Sequence, residues 1–236
     1  MMLVLEEYWR DFLYGQWGGP WSGMVVTLWV LALSLAFGFV ISIFTAIGRN
    51  SARWYVRGPI WTFTYVFRGT PLYVQILFIY AGIYGLDFVK DTPSLAAFFS
   101  SGFNCLVLAL VLNNVAYTTE IYAGAIRATP PGEVEAARAY GMSKFNLYRR
   151  IILPSALRRA LPAYSNEVIL MLHATSLAFT ATVPDILKVA RDANAATYLT
   201  FGSFGVAAVL YLLITLVLVG AFRLIERRTL ASLYAR

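Results

Sequence analysis

Four polar residues stand inside otherwise apolar stretches: Arg68 in FTYVFRGTPLYVQ, Asn113 and Asn114 in NNVAYTTEIYAGAIR, and Glu167 in LPAYSNEVILMLHATSLA. Nothing around them is set up for covalent catalysis. The chain has one cysteine, Cys105, and one histidine, His173, so neither a disulfide nor an all-cysteine metal site is available, and no metal site is expected. No G-x-x-x-x-G-K-[ST] run is present, so the chain does not carry a P-loop for ATP. The chemistry left to these residues is binding. A carboxylate in an apolar segment faces a cavity or a partner, and one facing a cavity attracts a cationic group, with Asn113 or Asn114 supplying polar contacts. Glu167 fits equally a structural pairing with Arg68 or with a group on a partner subunit, and both readings stand. An arginine at mid-membrane costs at least about 2.5–3.5 kcal/mol, so Arg68 must face protein or water. His173 lies about 240° around a helix from Glu167 and reads as a packing histidine.

The elements that must hold these residues are membrane-spanning helices. The 236-residue chain is 59% hydrophobic and only 13% charged, with a mean hydropathy of +0.66. Soluble domains carry about 25% charged residues. Apolar runs long enough to cross a bilayer, which takes roughly 20 helical residues, fall at about 24–47, 58–86, 105–126, 161–183 and 201–222. The expected fold is therefore an all-α integral membrane protein of about five spans. Arg68-Gly69-Thr70-Pro71 falls inside the second span, and proline removes a backbone donor and clashes with the preceding turn, so that span is expected to be kinked or broken. Residues 87–104 read as an external loop with a short surface or re-entrant helix. Cys105 reads as a small packing residue. Gly18-Gly19-Pro20 marks a turn before the first span, and Trp17, Trp21, Trp54 and Trp61 suit an interfacial belt.

Charge sets the expected orientation. The net charge is +7, but the basic residues are not spread as a nucleic-acid surface would need. Fourteen lie on segments that alternate to one side, among them Arg49, Arg53, Arg57, Arg127, Arg158, Arg159, Arg223 and Arg236, against four (Arg10, Lys90, Lys188 and Arg191) on the other. The positive-inside rule then places the N-terminus outside and the C-terminus in the cytoplasm. Glu6, Glu7 and Asp11 precede the first span, the wrong sign for the basic region of a cleaved signal peptide.

The stretch EVEAARAYGMSKFNLYRRIILP, residues 133–154, is charged and rich in alanine, and it falls in the cytoplasmic segment 127–160. Thr129 is placed as an N-cap before Pro130 and Pro131, Glu133 and Glu135 suit the early turns, and Gly141 suits a left-handed stop. Ser143 is placed as the cap of a second helix that Pro154 ends. Two helices of about ten residues are too short to stand alone in water, so the segment needs a docking partner or the inner leaflet. Tyr140, Met142, Phe145 and Tyr148 supply anchors of the type found at interfaces.

Glu135-Ala136-Ala137, Gly141, Ile151, Leu153 and Pro154 match the EAA---G---------I-LP signature at every position. With FRGTPLYVQ and AYTTEIYAGAIR, this resembles the permease subunits of bacterial ABC importers of the polar amino acid family, and within it those for histidine and basic amino acids. The resemblance runs through nearly the whole chain. It implies a multi-pass inner-membrane permease whose EAA loop forms a coupling helix seated on a cytoplasmic ATPase subunit, two ATPases serving two permeases. ATP and Mg would be held by those ATPases, with no cofactor on this chain. It also implies a second, similar permease subunit, surrounding lipid and a periplasmic amino-acid-binding protein, with histidine, arginine, lysine or ornithine as cargo. The alternative from the residues alone is an ion-coupled carrier or channel, for which the broken second span and Glu167 would serve.

Overall fold

A computed structural model describes the backbone of residues 2–15 and 20–234, with side chains through Thr229. Trp17, Gly18, Gly19 and Arg236 lie outside the described residues. Every described element is helical, and among the described residues the only β-type pairing is a single bridge between Gly23 and Asp185. The first apolar run forms α2 (Gly23–Arg49), whose 27 residues reach about 40 Å at 1.5 Å per residue. The third forms α7 (Gly102–Arg127) and the last forms α12 (Thr200–Tyr234). Among the described residues these three helices are long and apolar enough to cross a membrane unaided.

The second run is broken where its sequence predicts. α3 (Trp54–Gly69) ends at Thr70, and α4 (Leu72–Leu77) continues as a π-helical turn to Ile83 after a bend of 107°. The fourth run differs from its expected bounds. Its helix, α10 (Leu153–Ala174), starts eight residues early and tightens into a 3-10 turn at Thr175–Ala181. It carries Arg158, Arg159 and Glu167, and so lacks the apolarity of the three long spans.

Shorter helices close the ends. α1 (Met2–Leu13) and α11 (Ile186–Thr197) lie at one end, and α5 (Asp87–Asp91) and α6 (Pro93–Phe99) fall in the segment 87–104. α8 (Pro131–Ala139) and α9 (Lys144–Leu147) occupy the opposite end. Two apolar cores correspond to these ends. One gathers Phe12, Val30, Ile76, Leu106, Leu110, Leu172 and Ile186, with Cys105 buried inside it. The other gathers Ala46, Tyr122, Ile126, Ala137, Leu147, Ile152 and Ala156.

Between the cores the same helices turn polar. α7 passes from Leu110 through Asn113, Asn114 and Thr118 to Tyr122, and α10 passes from Ala160 through Glu167 to Met171. α2 presents Ser34, Gly38 and Ser42 at four-residue spacing, ending on Ala46, all buried. Small residues at that spacing let two membrane helices approach closely, and α2 makes its most extensive contact with α7. A Cβ at Gly38 would overlap the Asn114 carboxamide. Close approach here is a consequence of glycine.

Candidate translocation cavity and coupling loop

A cavity of about 440 Å³ opens at this polar waist, inside the bend between α3 and α4. Arg68, Thr70, Asn113, Tyr117, Glu167 and Met171 contribute to its wall. Three of the four sequence-predicted residues thus meet in one place. Asn114 does not. It is completely buried against Gly38, one helical position away from the cavity face that Asn113 occupies. A step of one residue turns a helix by about 100°, so adjacent asparagines face different neighbours.

Gln75 organises the broken helix, and its role was not read from the sequence. Its amide nitrogen reaches the carbonyl oxygens of Phe67 (2.7 Å) and Thr70 (3.0 Å) and the Thr70 hydroxyl (2.8 Å). A break inside a membrane leaves carbonyls that need donors, and a glutamine one turn past the Pro71 bend can supply them. With its N–H groups committed, its Oε1 accepts from Asn113 Nδ2 at 3.2 Å. That bond fixes the orientation of the Asn113 amide.

Glu167 is only 6% exposed. It makes no ion pair with Arg68, although both line the cavity. The ion pairs formed among the described residues are Arg49–Glu120, Lys90–Asp87 and Lys188–Asp192. The Arg68 guanidinium instead lies over the Tyr117 ring, 5.3 Å from its centroid. His173 is off the cavity, exposed, with its Nε2 3.4 Å from the Thr215 hydroxyl.

Nearer the α8–α9 loop, Glu120 ties three helices together. Its Oε1 accepts from Arg49 Nε of α2 at 2.7 Å and from the Thr64 hydroxyl of α3 at 2.9 Å. Asn50 donates to the Ala123 carbonyl and accepts from Arg127 Nη1 at 3.2 Å. These bonds fasten the lower ends of α2, α3 and α7. Glu120 and Arg49 lie far apart in sequence, so their pairing appears only in the fold.

The loop itself is a helix closed by a glycine turn. α8 begins at Pro131 with Pro130 at its cap position. Thr129 is not the cap, because its hydroxyl accepts from Arg159 Nη2 at 2.9 Å. At the other end Gly141 N–H donates to Arg138 O (2.9 Å) and Met142 N–H to Ala137 O (3.1 Å), with Gly141 at φ 71°. This double closure is the Schellman motif, which wants glycine at the left-handed position. Ser143 caps α9 as expected, its side chain accepting from Asn146 N–H.

Pro154 does not end the second helix. The chain widens into a π-turn over Tyr148–Ile152 and runs on into α10. Proline breaks a helix because its ring meets the carbonyl four residues back and it lacks a donor; a local i→i+5 turn ahead of the ring relieves both faults. α9, the turn and α10 therefore form one continuous rod, whose Leu147, Ile152 and Ala156 sit in the lower core. Of the signature residues, Ala137 is buried in that core, with Ile151 and Leu153 packed against it, while Glu135, Ala136 and Gly141 face outward. Tyr140 is 91% and Phe145 71% exposed beside them.

Helices of this arrangement, with a broken span over a polar cavity and an outward loop keyed into the bundle, define a membrane transport subunit. The chain belongs to the family of binding-protein-dependent transport system inner membrane components, whose model matches residues 38–231. It is an inner-membrane ABC-transporter permease. It is 63% identical over 230 residues to the histidine/lysine/arginine/ornithine transport system permease protein HisM of Escherichia coli K12, covering 98% of this chain and 96% of that one. It is 38% identical over 215 residues to the octopine transport system permease protein OccM of Rhizobium radiobacter, covering 91% and 87%. Among solved structures, an amino acid ABC transporter with histidines is similar at TM-score 0.80 and 30% identity, covering 97% of this chain and 98% of that one. The MetNI methionine transporter, at TM-score 0.70 and 15% identity over 97% of each chain, shares the fold.

Proposed function

We propose that this chain moves cationic amino acids, histidine, lysine, arginine or ornithine, inward through the α3–α4–α7–α10 cavity. The observation that carries this reading is Glu167, a buried carboxylate on the cavity wall that forms no ion pair among the described residues. A buried charge without a counter-ion is costly, and a cationic cargo supplies one. The HisM relatives named for four such amino acids support the same class.

In this reading the chain pairs with a second, non-identical permease, takes cargo from a periplasmic binding protein, and crosses the membrane about five times with its N-terminus outside. Two cytoplasmic ATPase subunits hold ATP and Mg. The outward face of α8, with Tyr140 and Phe145, seats in one of them. Ala137 and the continuous α9–α10 rod link that seat to the cavity wall, so a movement of the loop carries Glu167 with it. For such coupling the loop must bind the two ATPase states unequally.

The test is uptake of labelled arginine by proteoliposomes holding the full transporter. Transport is expected to require internal ATP, and Glu167→Gln is expected to lose the preference for basic over neutral amino acids. Normal selectivity in Glu167→Gln would show that Glu167 is structural. Uptake by this chain alone on an ion gradient would overturn the ATP-driven reading.

A further inference from the structure

We infer that Arg159 is a positioning residue that ties the start of the α8–α9 loop to α10, so that the loop and the helix bearing Glu167 move as one body. This rests on the ATP-driven reading above. Arg159 stands eight residues before Glu167 on α10, about 12 Å along the helix at 1.5 Å per residue. Its Nη1 donates to the Ser155 hydroxyl at 2.6 Å, one turn back on the same helix. Its Nη2 donates to the Ala125 carbonyl at 3.3 Å and to the Thr129 hydroxyl at 2.9 Å. Nε is buried, and Arg159 forms no ion pair among the described residues. The guanidinium is thus spent on neutral acceptors, two of them outside its own helix.

Those two acceptors differ in kind. Ala125 belongs to the last turn of α7, where carbonyls lose their helical donors and a cation is favoured. Thr129 lies past the end of α7, one residue before Pro130 at the α8 cap position. The end of α7 is already held from its other side, where Asn50 donates to the Ala123 carbonyl and accepts from Arg127. What Arg159 adds is therefore a link between the loop and α10. Thr129 and Arg159 are 30 positions apart, and their bond closes the whole intervening segment. α8 is then fastened at both ends, through Thr129 at its start and through Ala137, packed in one core with Leu147 and Ile152, near its finish. A helix fastened at one end swings, whereas one fastened at two passes its displacement to α10. A rigid planar fork of N–H donors grips two acceptors together in a way that a single flexible ammonium does not.

The experiment measures labelled-arginine uptake per ATP hydrolysed, in proteoliposomes holding the full transporter with loaded binding protein, alongside thermal unfolding of the purified complex. Hydrogen bonds from a charged donor favour the tied arrangement by about 10- to 100-fold. Arg159→Met is expected to assemble and to hydrolyse ATP, while uptake per ATP falls by about threefold or more. Arg159→Lys, which keeps the charge without the fork, is expected to fall between. Thr129→Val removes one acceptor and leaves the cation in place; it is expected to lower the ratio too, and the double variant to fall no further than Arg159→Met. An arginine that served stability alone would lower the melting temperature and leave uptake per ATP unchanged. A ratio in Arg159→Met within about threefold of wild type, inside the effect of one such bond, overturns the tie. A wild-type ratio in Thr129→Val overturns it as well, and that variant decides the matter where Arg159→Met does not assemble. Absence of ATP-dependent uptake in the wild type overturns the transport reading itself.

Discussion

Replacing Gly141 separates the folding of the α8–α9 loop from its proposed function. Gly141 closes α8 at φ 71°, and a Cβ built there meets nothing within 4 Å. The cost of a side chain is therefore backbone strain alone, about 1–2 kcal/mol for alanine in the left-handed region. Asparagine and aspartate tolerate that region better. For a chain of this size the alanine penalty lowers the melting temperature by about 2–8 °C, small beside a fold stability of about 5–15 kcal/mol. The space a side chain would occupy lies on the outward face beside Tyr140 and Phe145, where the ATPase is proposed to sit. Gly141→Asn and Gly141→Asp should thus insert, assemble and melt within a few degrees of wild type, yet lose substrate-stimulated ATP hydrolysis, the aspartate most completely. The assays are thermal unfolding of the purified complex and ATPase activity stimulated by loaded binding protein. Wild-type stimulation and uptake in Gly141→Asp would refute the docking assignment. A collapse in melting temperature would refute the claim that the turn is open.

Other perturbations test the remaining contacts. Gly38→Ala drives a Cβ into the Asn114 carboxamide and should destabilise by about 1–3 kcal/mol through overpacking; adding Asn114→Ala should recover most of the loss, seen as non-additive melting temperatures. Glu120→Gln removes the charge partner of Arg49 and should cost about 1–2 kcal/mol, since both groups are partly exposed; unchanged melting would show that the clamp is incidental. Asp185, outside the spanning helices, is raised to about 6 by burial, against which the Lys188 and Leu187 amides and the Tyr211 hydroxyl act. A carboxyl whose folded value exceeds its unfolded one makes the native state hold its proton more tightly, so stability declines as pH rises from about 4 to 6. The melting difference between wild type and Asp185→Asn should move against wild type over that interval, and a flat difference would contradict the burial argument.

Some of this architecture is local and some is not. The apolar runs placed α2, α7 and the start of α12 within a few residues, because a bilayer demands about 20 consecutive apolar residues whatever their neighbours, but α12 runs on to Tyr234, well past the expected end at 222. Arg68-Gly69-Thr70-Pro71 announced the break after α3, since proline's missing donor acts within its own turn. Gly141 announced the end of α8 for the same kind of reason. The signature around Glu135 and Gly141 named the family, which the match over residues 38–231 bears out.

What the sequence could not disclose depends on which way side chains turn and on residues far apart in the chain. Asn113 and Asn114 looked equivalent, but helix rotation sends one to the cavity and the other onto Gly38. Pro154 read as a stop until the π-turn ahead of it let the rod continue. Glu120 finds Arg49 and Thr64 only after α2, α3 and α7 have packed. Periodicity and composition act along one strand of chain, whereas the pairing of charges is settled by three-dimensional approach. Leaving Arg68 and Glu167 on one wall without joining them as an ion pair is such a decision.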